Sequence, residues 1–286
     1  MNTDTLEFRQ LDRQQVDTLV GWAREEGWDP GIHDADIFHS VFPDGFFGCF
    51  LDDRFIGGGS LVSYHGEYGF MGFFIVMPEY RNAGIGRFLW YKRRDTLLAC
   101  LKQGAVIGMD GVVAMQPFYR RGGFKMAYRD ERRVRLGAEF PRNDAISGIV
   151  RADLDAVAAY DRECFGFDRR PFLDRWLFDS EAASFRYLAE GNFAGYAVLR
   201  RTGKGFKIGP LFADSLNIAR ELYRACLSTA PGRNVYLDIP MNNIAAVSLA
   251  EEFGAAFVFE CARMYCGPEP LHRRDKVFGI TTFELG

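Results

Sequence analysis

The spacing of apolar residues at the start of the chain predicts one helix followed by three strands. Apolar side chains recur at close to helical spacing over residues 11–24, and a turn containing glycine and proline follows them. Three apolar runs separated by tight polar turns then read as strands, at 48–51, 55–64 and 68–77. Because the connections are only a few residues long, neighbouring strands must run in opposite directions. The pattern therefore predicts an antiparallel meander.

A long helix is predicted after the third strand. Pro78 ends that strand because proline has no backbone N–H to donate to a sheet. A turn containing Gly84 and Gly86 then leads into apolar anchors at helical spacing over residues 85–102. A strand, a short helix and a further strand are predicted next, at 105–109, 115–121 and 124–135. The strand, glycine turn and helix form the central unit of this half.

Residues 136–145 are rich in turn-forming side chains and lack periodicity, so we place a linker there. Beyond it the same order of elements returns, with helices at 153–161, 216–229 and 245–253 and strands at 186–190, 194–200, 206–212, 235–239 and 256–265. A repeated order with weak residue identity is typical of a diverged internal duplication. We therefore expect two domains, at residues 1–137 and 146–286, which suits a chain of 286 residues.

Composition narrows the class of protein. Hydrophobic residues make up 48% of the chain and charged residues 26%, the balance of a globular protein with a sizeable core. The net charge of −3, without a run of five like charges, argues against a nucleic-acid partner. No apolar stretch is long enough to span a membrane, so we expect no membrane partner and a cytoplasmic location. The six cysteines lack C-x-x-C spacing, so we expect no metal site.

The segment from Arg81 to Arg87 has the chemistry of an anion site. Gly84 and Gly86 let successive backbone N–H groups point into one concavity at the start of a helix, where the helix dipole is positive. Such a nest binds pyrophosphate, and the two arginines can add charge-assisted bonds. An ordinary glycine turn between strand and helix would look similar, so the turn alone leaves both interpretations open.

Two motifs in this half resemble those of the GNAT acetyltransferase superfamily. The segment Arg81-Asn82-Ala83-Gly84-Ile85-Gly86 resembles its R/Q-x-x-G-x-G/A acetyl-CoA signature, and the segment from Phe118 to Phe124 resembles its short helix with a tyrosine followed by Gly-Phe. The resemblance covers roughly residues 1 to 135 and implies a fold of the α/β (α+β) class. Each domain would be a mixed, mostly antiparallel sheet flanked by helices.

The resemblance also implies a reaction and roles for residues. Acetyl-CoA would be the cofactor and would transfer its acetyl group directly to an amine in a ternary complex. A splayed strand beside Ile75 would expose an N–H to the thioester oxygen, and Tyr119 would protonate the leaving thiolate, although a packed helix aromatic is the competing interpretation. The implied cofactor contacts are Ile75, Val76, Arg81, Asn82, Ala83, Gly84, Ile85, Gly86, Arg87 and Phe118.

The general base is not identified by the sequence, because residues 70–75 contain no carboxylate. The candidates for the base are Glu67, His65, Asp34 and Asp110. We predict Glu67 and Asp110, together with Tyr119, as the catalytic residues. Asp110 follows an apolar strand and precedes the helix of Tyr119, but a solvated Asp-Gly turn is an equally good interpretation. The acceptor pocket is expected to be lined by Trp28, His33, Asp34, Phe46 and Phe74.

The second half lacks the features of the predicted site. Aligning Gly254 with Gly123 places Ala250 where the first half has Tyr119, and serine and asparagine where it has Gly84 and Gly86. We therefore expect a degenerate GNAT-like domain and one acetyl-CoA per chain, in a monomer or homodimer. The predicted function is N-acetylation of a small-molecule amine; a non-catalytic CoA sensor and a protein or peptide N-acetyltransferase are the alternatives.

Overall fold

The computed structural model describes residues 5–286, so the first four residues of the predicted first domain lie outside it. Within that range the chain forms one sheet of thirteen strands and eight α-helices. The strands are β1 Leu6–Gln10, β2 Phe46–Leu51, β3 Arg54–Tyr64, β4 Tyr68–Val76, β5 Val106–Val112, β6 Lys125–Leu136, β7 Ile146–Gly148, β8 Ala182–Ala189, β9 Asn192–Arg201, β10 Phe206–Ala213, β11 Asn234–Pro240, β12 Ala256–Cys266 and β13 Val277–Gly279. The helices are α1 Arg13–Glu25, α2 Asp34–Val41, α3 Ile85–Ala99, α4 Gln116–Arg121, α5 Leu154–Phe165, α6 Arg170–Leu177, α7 Leu216–Thr229 and α8 Ile244–Glu252.

Local sequence explains where the long helices begin. Asp12 caps α1 by accepting from the amide of Gln15, whose side chain accepts from the Asp12 amide in return. Ser215 caps α7 by accepting from the amide of Ile218. The predicted strands and helices are all present, with ends shifted by a few residues. Five elements were not predicted: β1, α2, α6, β7 and β13. Each has eight residues or fewer, which is too short for an apolar period to be recognised.

The strand order joins the two halves into one sheet. It runs β1-β2-β3-β4-β5-β12-β6-β11-β10-β9-β8-β7, with β13 beside β10. Strand β12, from the second half, lies next to β5, and β6, from the first half, lies next to β11. The halves have therefore exchanged their last long strands. Among the described strands only β4–β5 and β10–β11 pair in parallel, so the predicted mixed, mostly antiparallel sheet flanked by helices is confirmed.

A hydrophobic core also crosses between the halves. Phe38 of α2 is fully buried, and its ring lies 6.5 Å from that of Phe172 and 5.9 Å from that of Trp176, both on α6. The Trp176 indole N–H donates to the carbonyl of Gly209 at 2.8 Å. The helices of the two halves are thus packed against each other as in a domain interior. None of the helices described between residues 5 and 286 combines the length and apolarity needed to cross a membrane.

Candidate active site

A cavity of about 390 Å³ opens where β4 and β5 separate. The two strands pair in parallel only from Tyr68 and Val106 to Phe70 and Gly108. Beyond that point, Gly72 to Val76 of β4 face the cavity on one side, and residues of β5 and α4 face it on the other. A cleft at the carboxyl ends of diverging parallel strands is a common place for a ligand in α/β proteins.

Strand β4 is irregular at the edge of this cavity. Gly58 of β3 pairs with Ile75 and Ser60 pairs with Gly72, so one residue of β3 lies opposite two of β4, Phe73 and Phe74. Phe73 has a left-handed φ of 50°, which is uncommon for a bulky side chain. A bulge of this kind leaves backbone groups unpaired and redirects the strand. The splayed strand expected beside Ile75 is therefore present as a bulge at Phe73 and Phe74.

The turn before α3 carries unpaired amides, and two of its residues, Asn82 and Gly86, line the same cavity. Within residues 5–286, no backbone carbonyl accepts from the amides of residues 82–87; the Phe88 amide, which donates to the Gly84 carbonyl at 3.1 Å, is the first to do so. Asn82 and Gly84 have left-handed φ values of 63° and 86°, and the helix start has no side-chain cap. These amides and the positive end of the helix dipole form a cradle for an anion.

The side chains around the cradle divide into two groups. Arg81 and Asn82 line the cavity, and the Arg81 Nε donates to the Val76 carbonyl at 2.9 Å while its Nη2 contacts Glu26. Ile85 is fully buried and Arg87 lies over the ring of Tyr91, so these two contribute backbone amides rather than side chains.

Two other predicted cofactor contacts, Ala83 and Phe118, do not line the cavity. Ala83 belongs to the cradle turn and packs in an apolar cluster with Leu89 of α3. Phe118 does not line the cavity, because its ring packs edge-on against Trp90 at 5.4 Å.

Tyr119 lies in the cavity wall on α4. Its residue is 4% exposed, and its ring meets that of Phe74 edge-on at 6.4 Å. Burial raises the pKa of the Tyr119 phenol above its ordinary value, and the nearby Arg93 guanidinium opposes that rise. A phenol with a raised pKa is protonated at neutral pH and can donate its proton.

Asp110 lines the cavity and Glu67 does not. Asp110 lies inside β5 rather than in a turn after it, and Arg263 of β12 donates to both of its carboxylate oxygens, at 2.7 and 2.9 Å. The interpretation of Asp110 as part of a solvated turn is wrong, because its side chain is fully buried. Glu67 precedes β4, at the end opposite Ile75, and pairs with Lys102 at 3.2 Å. The length of β4 puts Glu67 about 25 to 30 Å from Val76 at the other end of the strand.

Only some of the residues predicted for the acceptor pocket line the cavity. Trp28 and Phe74 line the cavity, but His33, Asp34 and Phe46 do not. His33 Nδ1 lies 2.7 Å from the Asp179 carboxylate, and Asp34 pairs with Arg200 while accepting from the Gly31 amide. Phe46 is fully buried 6.4 Å from the ring of Phe73. These three residues hold the halves or the core together, so their expected place in the pocket is corrected.

Part of the cavity wall comes from the second half, and the sequence did not identify the residues that form it. Its contributions are Phe259, Cys261, Phe283 and Glu284. The only sequence signal was that the segment from 278 onward is apolar enough to dock on a domain. Methionines 71, 109 and 115 add further apolar wall.

The corresponding cleft of the second half is closed by the chain itself. Strands β10 and β11 pair in parallel over residues 206–208, as β4 and β5 do, and then separate. Strand β13 pairs with β10 at Leu211 and Phe212, and the Ile280 amide donates to the Asp238 carbonyl of β11 at 2.9 Å. The helix that follows is capped by the Ser215 side chain. This cleft therefore lacks the space of the first one, and one amide of its helix start is taken by the Ser215 hydroxyl.

A bulged strand that separates from its parallel neighbour beside an uncapped helix start has the geometry of an acyltransferase cleft. Sequence comparison identifies the family. The model described as "Acetyltransferase (GNAT) family" matches residues 8–124, and that described as "Acetyltransferase (GNAT) domain" matches residues 157–279. The chain belongs to the GNAT acetyltransferases and carries two GNAT domains in tandem.

One relative is similar in sequence, and two solved structures share the fold. Holothin acyltransferase from Pseudoalteromonas sp. (strain SANK 73390) is 28% identical over 267 residues, which cover 93% of this chain and 89% of that protein. A putative acetyltransferase from Pyrococcus horikoshii has the same fold, with a TM-score of 0.85 at 22% identity over 100% of this chain and 98% of the other. A tandem GNAT protein from the clavulanic acid biosynthesis pathway has a TM-score of 0.63 at 14% identity, over 92% and 99% of the two chains.

Proposed function

We propose that this protein is an acetyl-CoA-dependent N-acetyltransferase that acetylates the amine of a small molecule by direct attack in a ternary complex. The observation that carries the proposal is the row of unpaired amides at residues 82–87, of which Asn82 and Gly86 line the same cavity as Tyr119. A helix start of this kind suits the pyrophosphate of coenzyme A.

The residues of the cleft would have separate roles in cofactor binding and in catalysis. The amides of residues 82–87 and the Arg81 side chain would hold the phosphates, and the backbone of Ile75 and Val76 would hold the pantetheine arm. When bound, the cofactor supplies a thioester carbonyl. An N–H at the bulge of β4 would donate to the carbonyl oxygen as negative charge develops on it, and Tyr119 would donate its proton to the departing thiolate. Arg93 would stabilise the Tyr119 oxygen once that proton has left.

The composition of the cavity wall supports a partly apolar acceptor. Trp28, Phe74, Phe259 and Phe283 surround the space beyond the bulge. Because apolar and aromatic walls bind apolar surface, a small amine with an apolar body fits better than an extended basic peptide. The 28% identical relative is named holothin acyltransferase, which makes holothin one acceptor to test.

The second half would complete the acceptor side and bind no second cofactor, because β13 fills its cleft. We propose residues 1–137 and 146–286 as the two domains by sequence, with one acetyl-CoA per chain, a cytoplasmic location, and a monomer or homodimer as the working form.

The test is thiol release from acetyl-CoA against a panel of amines that includes holothin, small aromatic amines and a lysine peptide. We expect acceptor-dependent release with a small amine. Binding of coenzyme A without turnover on any acceptor would point instead to a sensor, and turnover on the peptide alone would point to a protein N-acetyltransferase.

The Tyr119→Phe variant tests the proposed acid. We expect kcat to fall about 100-fold or more with unchanged affinity for coenzyme A, since general acid catalysis contributes factors of this size. Tyr223→Phe is the matched control, because Tyr223 is a buried tyrosine on α7 in the second half. Equal rates for Tyr119→Phe and the wild type would remove Tyr119 from the mechanism.

A further inference from the structure

Three acidic residues line the cavity, and two of them are paired with arginines. Glu26 contacts Arg81, and Asp110 accepts both of its hydrogen bonds from Arg263. The third, Glu284, forms no ion pair with a described arginine or lysine and accepts a hydrogen bond from the Thr282 hydroxyl. Among the acids of this cavity, Glu284 is therefore the one whose carboxylate is not neutralised by a direct cationic partner.

Glu284 is held firmly against the bulge of β4. Its carbonyl accepts from the Ser60 hydroxyl at 3.2 Å, and the same hydroxyl oxygen accepts from the Gly72 amide at 3.0 Å. A Cβ at position 72 would lie 2.0 Å from the Glu284 carbonyl oxygen, so this close approach requires glycine. The Tyr64 hydroxyl donates to the next carbonyl, that of Leu285, at 2.7 Å.

The path of the chain explains how a residue of the second half reaches this position. Strand β13 fills the cleft between β10 and β11, and the chain then continues from Ile280 across the sheet to Ser60 on β3. The same segment thus closes one cleft and brings Glu284 to the wall of the other.

We propose that Glu284 is the general base of the acyl transfer, a role that rests on the function proposed above. Its carboxylate takes a proton from the acceptor ammonium, breaking an N–H bond and forming an O–H bond. The freed nitrogen lone pair forms the bond to the thioester carbon, the C–S bond breaks with its electron pair leaving on sulfur, and the thiolate takes its proton from Tyr119. The nitrogen, still carrying one proton too many, gives that proton to the Tyr119 phenolate, so the net proton released leaves through Glu284.

The groups around Glu284 suit this task. Its side chain is buried, and burial raises the pKa of the carboxyl above its ordinary value. Lys207 of β10 and Arg132 of β6 lower that pKa, whereas Asp34 of α2 and Asp238 of β11 raise it. Burial lowers the pKa of Lys207 itself to about 8. A carboxylate with a raised pKa is a stronger base toward an amine than a solvated one.

The Glu284→Gln variant tests the proposal, because glutamine keeps the size of the side chain and can still accept from Thr282. With the amine found for the wild type, we expect kcat/KM to fall about 100-fold at neutral pH with unchanged affinity for coenzyme A. The loss should shrink as pH rises toward the pKa of the acceptor, because free amine no longer needs the base. Glu284→Asp should recover part of the rate.

Glu251→Gln, an exposed glutamate on α8, is the control and should match the wild type. A Glu284→Gln variant that equals the wild type, or that loses the same factor at every pH, would overturn the assignment. Failure of the proposed function and failure of the base assignment give different results. If the wild type shows no acceptor-dependent turnover, the proposed function is wrong. If the wild type turns over and Glu284→Gln is equally active, only the assignment of Glu284 as the base is wrong.

Discussion

Asp110 of β5 and Arg263 of β12 form a bidentate ion pair at the place where the two halves have exchanged strands. The pairs Nε–Oδ1 and Nη2–Oδ2 are separated by 2.7 and 2.9 Å, and the side chains are 0% and 7% exposed. An ion pair with so little solvent depends on both partners, because removing one leaves the other charge buried without compensation. The pair therefore ties β12 to β5 chemically as well as through backbone hydrogen bonds.

Asp110→Asn should consequently cost about 3 kcal/mol or more of unfolding free energy, as measured by urea denaturation. The control is Glu260→Gln, on β12 and paired with Arg129 of β6 through a half-exposed contact. That change should cost less than about 1 kcal/mol, as expected for a solvated pair. Equal stability of the two variants would contradict a structural role for Asp110.

Gly86 offers a way to test the cradle without disturbing the fold. A Cβ there would meet Phe74 and Val76 at 3.6 and 3.9 Å, which is ordinary contact distance, and Gly86 lies in helical backbone at the cavity. We expect Gly86→Ala to unfold at the same or higher urea concentration, since alanine favours a helix by up to about 1 kcal/mol. Its affinity for coenzyme A, measured by calorimetry, should fall at least about tenfold because the methyl group occupies ligand space.

Gly21→Ala, in α1 with nothing within 4 Å of the added Cβ, is the matched control. It should gain similar stability and bind coenzyme A as the wild type does. Unchanged binding in Gly86→Ala would place the phosphates elsewhere.

Local sequence predicted the bounds of those helices and strands that begin or end at a capping or turn-forming residue. Helix α7 begins after the capping residue Ser215 and was predicted with the bounds that it has, Leu216–Thr229. The strand containing Asp110 was cut short at residue 109, because Asp-Gly usually marks a turn. Strand β5 instead continues to Val112, since Arg263 neutralises the aspartate within the sheet. That arginine lies more than 150 residues further along the chain, beyond the reach of any local pattern.

Prediction of the site was also restricted to features formed by residues close together in sequence. The cradle at residues 82–87 was predicted because glycine spacing and a helix start are adjacent in sequence. Glu284 was not, because it reaches the bulge of β4 only through contacts of its backbone with Ser60 and Tyr64. His33 and Asp34 were assigned to the pocket from their place in a loop, but Asp179 and Arg200 of the second half are their partners. Contacts between distant segments decided each of these outcomes.

The His33–Asp179 pair predicts a pH-dependent contribution to stability. The hydrogen bond from His33 to Asp179 raises the pKa of the imidazole above its ordinary value of about 6.5. Because the folded pKa is the higher one, the stabilisation is fully present below pH 6.5 and is lost as pH rises through the folded pKa. The His33 side chain is 37% exposed, so the contribution should stay below about 1 kcal/mol and weaken with salt.

Urea denaturation of the wild type and Asp179→Asn at several pH values measures this contribution. The difference between the two proteins should be largest at pH 6 and smaller at pH 8.5. A difference that does not change with pH would show that the imidazole does not gain a proton in this pair.

The exchange of strands predicts that the halves depend on each other for folding. Strand β6 has β12 and β11 as its sheet neighbours, and both belong to the second half. A fragment of residues 1–145 would leave β6 without either neighbour, expose the edge of β5, and remove Phe259, Phe283 and Glu284 from the cavity. We expect this fragment alone to aggregate or unfold without a cooperative transition.

Co-expression with residues 146–286 should restore a complex that elutes together and binds coenzyme A. A monomeric 1–145 fragment that unfolds cooperatively and binds coenzyme A would mean that β6 can return to β5 within its own half, in which case the exchanged arrangement is not needed for the first cleft to form.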